Sequence, residues 1–165
     1  MLAENYKIVP VYNEYDLSTH DATQPSDSWN MKDFHKATII LQYWTLGTAA
    51  PVVYVYSGAT VGLQTTALTF NYAFAGAATG TAVAGSTASC DVLSAWGSSA
   101  ALTVTQASYL NSMLVIEIDA SAMTDGEEWM TINHTDPTSG GTGNVTAFVI
   151  LTPRYRSNRS GTCLA

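Results

Sequence analysis

Three histidines and their neighbouring acids are the residues of this chain that are most suited to metal binding. His20 is followed by Asp21, and one residue separates His134 from Asp136, while His35 lies between a phenylalanine and a lysine. Imidazole and carboxylate groups together bind zinc, but the common zinc motifs place two ligands a short, fixed distance apart on one element. No histidine pair has that spacing. We therefore predict no metal site and interpret the histidines as surface or hydrogen-bonding residues.

Acidic residues that could serve a glycosidase cluster at Asp125, Glu127 and Glu128, directly before Trp129. Two carboxylates on either side of a sugar can act as acid and base or nucleophile. The same residues also fit a tight turn at Asp125-Gly126 followed by an edge strand, which is the interpretation that we favour. The chain has no G-x-S-x-G nucleophile elbow and no glycine-rich phosphate loop. We predict no catalytic residue, no cofactor and no enzyme activity.

The composition narrows the range of partners. The chain has 165 residues, a net charge of −7 and a charged fraction of 12%, about half of the usual value of roughly 25%. The acidic balance argues against a nucleic-acid-binding protein, which needs a basic face. A low-charge surface suits a chain that buries much of its surface against partners. A soluble monomer with an uncharged, Thr- and Ser-rich surface would have the same composition.

The N-terminus and the cysteines bear on the cellular compartment. The first residues, MLAENYKIVPVYNEYD, lack the basic and apolar regions of a secretory signal, and no apolar run approaches the length of a membrane span. Cys90 and Cys163 lie far apart and have neither metal spacing nor the density of a disulfide scaffold. We expect free thiols in a reducing cytoplasm and no membrane partner, and a single bridge between the two cysteines stays open.

The elements that position these residues are predicted to be strands throughout. Residues 6–12 form a first strand, in which Pro10 removes a ladder donor and predicts an edge position. Residues 37–46 are apolar on nearly both faces, which predicts a central or doubly covered strand. The residues between them, 13–36, are predicted to form a long polar loop. The end of that loop is pinned by two large rings, Trp29 and Phe34.

Further strands alternate with turn signals along the rest of the chain. They are predicted over 52–56, 65–75, 90–93, 102–105, 113–119, 128–134 and 144–152, with helical turns over 107–112 and 120–124 and a small-residue loop or weak hairpin over 77–89. About eight to ten regularly spaced strands predict an all-β fold, a single antiparallel β-sandwich or jelly-roll-like domain with extended arms. We divide the chain into an N-terminal arm or edge strand (1–12), the sandwich (13–153) and a polar C-terminal tail (154–165), ordered by a partner.

Aromatic residues fall into two groups. Most of those on predicted strands are expected to fill the core: Tyr43, Trp44, Tyr54, Tyr56, Phe70, Tyr72 and Phe74. Others lie in loops or at strand ends, where they would be either interface anchors or rings buried under a folded loop: Trp29, Phe34, Trp96 and Tyr155.

The layout of residues 28–156 resembles that of a family of phage proteins. The pattern W-x-M-K-x-F-h-K leads into a hydrophobic strand that ends at Leu46-Gly47, and LVIEID, WMTIN and AFVILTPRY follow later in the chain. This order is similar to that of the decoration or minor capsid proteins of tailed bacteriophages, including the terminal Arg154-Tyr155. The stretch over 76–89 is not part of that pattern.

The resemblance implies a structural protein of the virion without catalysis. Such a protein would be made in the host cytoplasm and bind the lattice of the major capsid protein on the capsid surface, often as a homotrimer. We expect the arm, the tail and the end of the loop over 13–36 to make the contacts, through Tyr6, Lys7, Trp29, Lys32, Phe34, Arg154, Tyr155, Arg156 and Arg159. The alternative is a carbohydrate- or receptor-binding β-sandwich with Trp96 or Trp129 as a stacking platform, and a hydrolase on the same fold has less support.

Overall fold

Two antiparallel sheets that pack face to face make the described part of the chain a β-sandwich. The computed structural model describes residues 5–17, 23–75, 93–110, 112–135, 143–155 and 162–164. Each sheet has six strands, and every strand pair in them is antiparallel. The predicted all-β sandwich is confirmed.

The first sheet contains the long strands. Its members are β1 (Lys7–Asp16), β4 (Phe34–Leu46), β7 (Phe70–Ala75), β8 (Gly97–Ser99), β10 (Met113–Asp119) and β12 (Gly143–Pro153). Their order is β1-β12-β4-β10-β7-β8, so β1 is an edge strand, as Pro10 predicts, and β4 is central, as its apolar sequence predicts. A short helix, α1 (Gln106–Tyr109), precedes β10, and a 3-10 turn over Ala120–Ala122 follows it.

The second sheet is built from shorter strands around a long central pair. Its members are β2 (Gln24–Pro25), β3 (Trp29–Asn30), β5 (Val52–Gly58), β6 (Thr66–Ala67), β9 (Leu102–Thr103) and β11 (Trp129–His134). The main order is β2-β11-β5-β6, with β3 also pairing with β11 and β9 with β5. No helix in the described residues combines the length and the hydropathy that crossing a membrane requires.

Alternate residues of both sheets fill the core. Along β4, Ile39, Leu41 and Tyr43 are fully buried and the residues between them are half-buried. Strand β12 repeats this pattern, with every second residue from Val145 to Leu151 buried. Because successive side chains of a strand point to opposite faces, each sheet presents one apolar face to the other.

The prediction of a long polar loop over 13–36 is wrong in part. Strand β1 continues to Asp16, β4 already begins at Phe34, and β2 and β3 lie between them. These two strands have two residues each, too few for a periodic pattern, and their pairing with β11 defines them. With β5 on its other side, β11 is therefore central rather than the edge strand that we predicted.

The prediction that strand aromatics fill the core holds only for some of them. Tyr43 and Phe70 are fully buried, but Trp44 is 59% exposed. Tyr54 and Tyr56 alternate with the buried valines of β5, so their rings lie on the outer face of the second sheet, stacked at 5.6 Å. The predicted loop over 77–89 lies outside the described residues.

Gly58 lies where the loop over 59–65 crosses back over the end of β5. A Cβ atom at this position would be 2.0 Å from the carbonyl oxygen of Leu63, a backbone atom that cannot rotate away. We expect Gly58→Ala to lower the free energy of unfolding by about 3 kcal/mol, measured by urea denaturation. Gly97→Ala is the control, because its Cβ would meet the ring of Tyr72, a side chain that can shift. Equal losses in the two variants would contradict the assigned clash.

Candidate functional site at the charged pole

The lysine and arginine side chains of the described residues lie at one end of the sandwich, which we call the charged pole. Lys7 pairs with Leu151 and Lys36 with Thr152, on the two sides of the same end of β12. Arg154 directly follows β12, and Lys32 directly precedes β4. Three segments that are far apart in sequence therefore place positive charges at the same end of the sandwich.

Acidic side chains at the charged pole compensate part of this charge. The ammonium group of Lys36 lies 2.6 Å from a carboxylate oxygen of Glu117, and both side chains are about one-third exposed. Lys32 and Glu128 are 3.9 Å apart, and the Lys32 side chain is 69% exposed. An exposed ion pair at that distance contributes little to stability. Lys32 is therefore available for a charge on a partner.

Arg154 is held by the backbone at the start of β4. Its N–H donates to the carbonyl of Asp33 at 2.9 Å, and its Nε donates to the carbonyl of Phe34 at 3.2 Å. Tyr155, the next residue, is 72% exposed. The structure thus fixes the backbone from which an exposed aromatic ring projects, an arrangement that suits an interface anchor.

A cleft of about 410 Å³ opens at the charged pole between Lys32 and Arg154 on one side and Asp125, Glu127 and Glu128 on the other. The Glu127 carboxylate accepts hydrogen bonds from the hydroxyls of Ser57 and Thr66, which fix its position. The cleft therefore carries charges of both signs, and hydrogen bonds hold one of its carboxylates in place. Such a cleft is suited to binding a charged protein surface.

The acidic cluster begins with the predicted turn. The N–H of Glu127 donates to the carbonyl of Thr124 at 3.0 Å, and Gly126 has a φ of 84°, which glycine adopts without strain. The turn at Asp125-Gly126 is therefore confirmed.

The end of the C-terminal tail packs back onto the sandwich. The N–H of Asn30 donates to the carbonyl of Cys163 at 2.8 Å, and Leu164 forms a β-bridge with Trp29. Cys163 is a buried free thiol. The prediction that a partner orders the whole tail is wrong for residues 162–164, because these contacts lie within the chain.

Two of the predicted contact residues belong to the core. Trp29 is 0% and Phe34 3% exposed, so a partner could not touch either ring. Both rings pin the approach to β4, as predicted, and we remove them from the candidate contact surface. The others that the structure describes lie at the charged pole or next to its strands: Tyr6, Lys7, Lys32, Arg154 and Tyr155. Arg156 and Arg159 lie outside the described residues.

His134 connects the two sheets through the core. Its Nε2 lies 2.9 Å from the hydroxyl of Tyr43 on β4, and its Nδ1 lies 3.2 Å from the hydroxyl of Tyr12 on β1. The Tyr12 hydroxyl also donates to the carbonyl of Ile132 at 3.4 Å. All three hydrogen bonds can form at the same time when the Tyr43 hydroxyl donates to Nε2 and Nδ1–H donates to the Tyr12 hydroxyl oxygen. The network is fully buried, so its chemistry is confined to the core.

Burial sets the protonation of this network. Desolvation lowers the pKa of His134 to about 3 and raises the pKa of Tyr43 well above its usual value. His134 and Tyr43 are therefore both neutral at pH 7, as a network without a charged partner requires.

The structure separates the histidines that we considered for metal binding. His35 is exposed near the start of β4, at the charged pole, whereas His134 is buried at the end of β11 that lies next to Tyr43. His20 lies outside the described residues. In the part of the chain that the structure describes, no three His, Cys, Asp or Glu side chains are grouped closely enough to hold a metal ion.

Comparisons with known proteins find no relative of this chain. No family model matches it, and neither the curated proteins nor the solved structures include a significant match.

Proposed function

We propose that this chain is a structural protein of the virion that decorates and stabilises a phage capsid by binding the lattice of the major capsid protein. The observation that carries the proposal is the charged pole. Lys7, Lys32, Arg154 and Tyr155 come from three separate segments and lie at the same end of the sandwich. These are residues that we expected from the sequence to form the contact surface.

The physical character of the charged pole supports a protein partner. Arginine and tyrosine are enriched in the centres of protein interfaces, and Tyr155 offers an exposed ring beside a backbone-anchored arginine. Charges of both signs around the cleft would fix the orientation of a complementary surface. We extend the proposal to a homotrimer, which the resemblance implies, because a multivalent assembly adds repeated weak contacts on a lattice into tight binding.

Neutralising Lys32 tests the contact surface. We expect Lys32→Gln to weaken binding to empty capsids about fivefold at low ionic strength, because a rim charge contributes up to about 1 kcal/mol, and the difference should shrink as salt is added. The control is Thr103→Glu, which changes the net charge by the same amount at an exposed position on β9, away from the charged pole. Co-sedimentation with capsids measures both. Normal binding by Lys32→Gln together with weak binding by Thr103→Glu would contradict the assigned surface.

A glycan- or receptor-binding module remains the second candidate. Trp96, one of the two platforms that the sequence suggests, is 48% exposed. Trp129 is partly buried within the second sheet and is less suited to stacking. Binding to a glycan array that disappears in Trp96→Ala would favour this function over capsid decoration.

A further inference from the structure

Two of the β-bulges on the first sheet lie side by side, on the two neighbours of β12. On β4, Thr45 pairs with Asn144 and Tyr43 pairs with Val145, so Trp44 has no residue opposite it. On β1, Tyr15 pairs with Val145 and Tyr12 with Ala147, so the bulged strand again has one residue more than β12. Bulges redirect side chains and are common beside functional sites.

The two bulges flank a depression of about 570 Å³. It lies at the end of β4 remote from the charged pole and is lined by Asn13, Trp44, Thr45, Asn144 and Thr146. The bulge puts Trp44, which is 59% exposed, between the fully buried Tyr43 and the exposed Thr45. An indole ring is thus presented to solvent by the backbone of a central strand, which holds it more rigidly than a loop would.

The polar side of the depression is held by a reciprocal pair of hydrogen bonds. The hydroxyl of Thr45 donates to Oδ1 of Asn144 at 3.0 Å, and the backbone N–H of Asn144 donates to Oγ1 of Thr45, also at 3.0 Å. This pair fixes the carboxamide and occupies its oxygen. Among the described residues, the Nδ2 donors of Asn144 have no partner, so they can donate to a ligand.

These groups define the chemistry of a ligand. It needs a flat apolar face to pack on the indole ring and hydroxyl groups at its rim to meet the amide and hydroxyl groups. None of the five lining side chains carries a charge, so a charged ligand gains nothing here. The volume is within the usual range for small-molecule sites. A neutral pyranose ring has all of these properties.

We propose that the depression at Trp44 is a binding subsite for a neutral sugar ring of a polysaccharide. Trp44 stacks on the ring, and Asn144 and Asn13 bond its hydroxyls. A protein partner would cover the same indole ring with apolar side chains and leave the surrounding amide and hydroxyl groups unpaired, which costs free energy. The inference does not rest on capsid binding, because the site lies at the other end of β4 from the charged pole.

Affinity electrophoresis tests the subsite with defined probes. Wild type, Trp44→Ala and Trp96→Ala are run in native gels that contain laminarin, galactomannan or hydroxyethylcellulose, with alginate as the charged polysaccharide. We expect at least one neutral polymer to retard wild type and Trp96→Ala, alginate to retard neither, and Trp44→Ala to bind at least about tenfold more weakly. Because Trp44 is exposed, the variant should keep the wild-type melting temperature, which separates lost binding from lost folding.

Three results would overturn the proposal. The first is a wild-type protein that no neutral polymer retards, and the second is Trp44→Ala with undiminished retardation. The third is a change in capsid binding or in oligomeric mass caused by Trp44→Ala, when neither the wild type nor any variant binds a polysaccharide. That result would show that the depression is a protein contact. If retardation is lost only in Trp96→Ala, this is a case of the second result, and the sugar binds at Trp96 instead. Capsid co-sedimentation of Lys32→Gln reports on the charged pole separately.

Discussion

Acidification from pH 6.5 to pH 4.5 is expected to lower the free energy of unfolding by about 2 kcal/mol through His134 alone. Burial lowers the pKa of this imidazole from 6.5 to about 3. Well above pH 6.5 neither state binds the proton, so the stability is fully present. Between pH 6.5 and about pH 3 the unfolded chain takes up a proton that the folded protein excludes, and stability falls by about 1.4 kcal/mol per pH unit. Urea denaturation at a series of pH values, followed by tryptophan fluorescence, measures the slope.

His134→Gln isolates this contribution. Glutamine keeps one donor and one acceptor near Tyr12 and Tyr43 but does not titrate in this range. The variant should be less stable at pH 7 and show a much flatter slope between pH 6.5 and pH 4.5. His35→Gln, at an exposed position, should keep the wild-type slope. An unchanged slope in His134→Gln would show that another group is responsible.

Asp119 does not interfere with that measurement. Its pKa is lowered mainly by the hydrogen bond that its side chain accepts from the N–H of Ser121. A carboxyl with a lowered pKa stabilises the folded state above its unfolded pKa of 3.8 and loses that contribution as the pH falls below this value. We therefore assign the loss of stability expected between pH 6.5 and pH 4.5 to His134 and not to Asp119.

Truncation of Trp29 is expected to be the most destabilising single substitution, because it removes a fully buried indole ring next to the backbone bridge to Leu164. We expect Trp29→Ala to lower the free energy of unfolding by about 3–5 kcal/mol. Thermal and urea denaturation measure the loss. Trp44→Ala is the matched control, since the same truncation at an exposed ring should change stability by no more than about 0.5 kcal/mol.

Trp29→Phe adds a second comparison. The Nε1 group of Trp29 is buried without a hydrogen-bond partner among the described residues, so phenylalanine removes an unpaired donor and keeps part of the packing. Its loss should be clearly smaller than that of Trp29→Ala. Equal losses in Trp29→Ala and Trp44→Ala would contradict the burial that separates the two rings.

Local patterns in the sequence predicted the framework of the fold. Pro10 cannot donate to a ladder, so it indicated the edge position of β1, and the apolar run over 37–46 indicated the central position of β4. The turn at Asp125-Gly126 followed from its residue types. Each of these features depends on properties of a few neighbouring residues, which one sequence contains in full.

Features that depend on pairing partners were not predictable in the same way. Alternation identifies residues that share a face of a strand, but a bulge shifts this alternation by one residue. No residue type near Trp44 indicates that a bulge lies there. Strands β2 and β3 exist only because β11 pairs with them. The charged pole likewise requires the register of β1 and β4 on β12, which brings Lys7 and Lys36 to the same end.

Electron cryomicroscopy of capsids tests the proposed function most directly. Empty shells assembled from the major capsid protein of the same genome are mixed with an excess of this protein, and their symmetric reconstruction is compared with that of bare shells. We predict added density at regular lattice positions, with the charged pole, marked by Lys32, Arg154 and Tyr155, against the shell. Shells that remain bare at saturating concentration would contradict capsid decoration, and density attached through the Trp44 end would contradict the assigned contact surface.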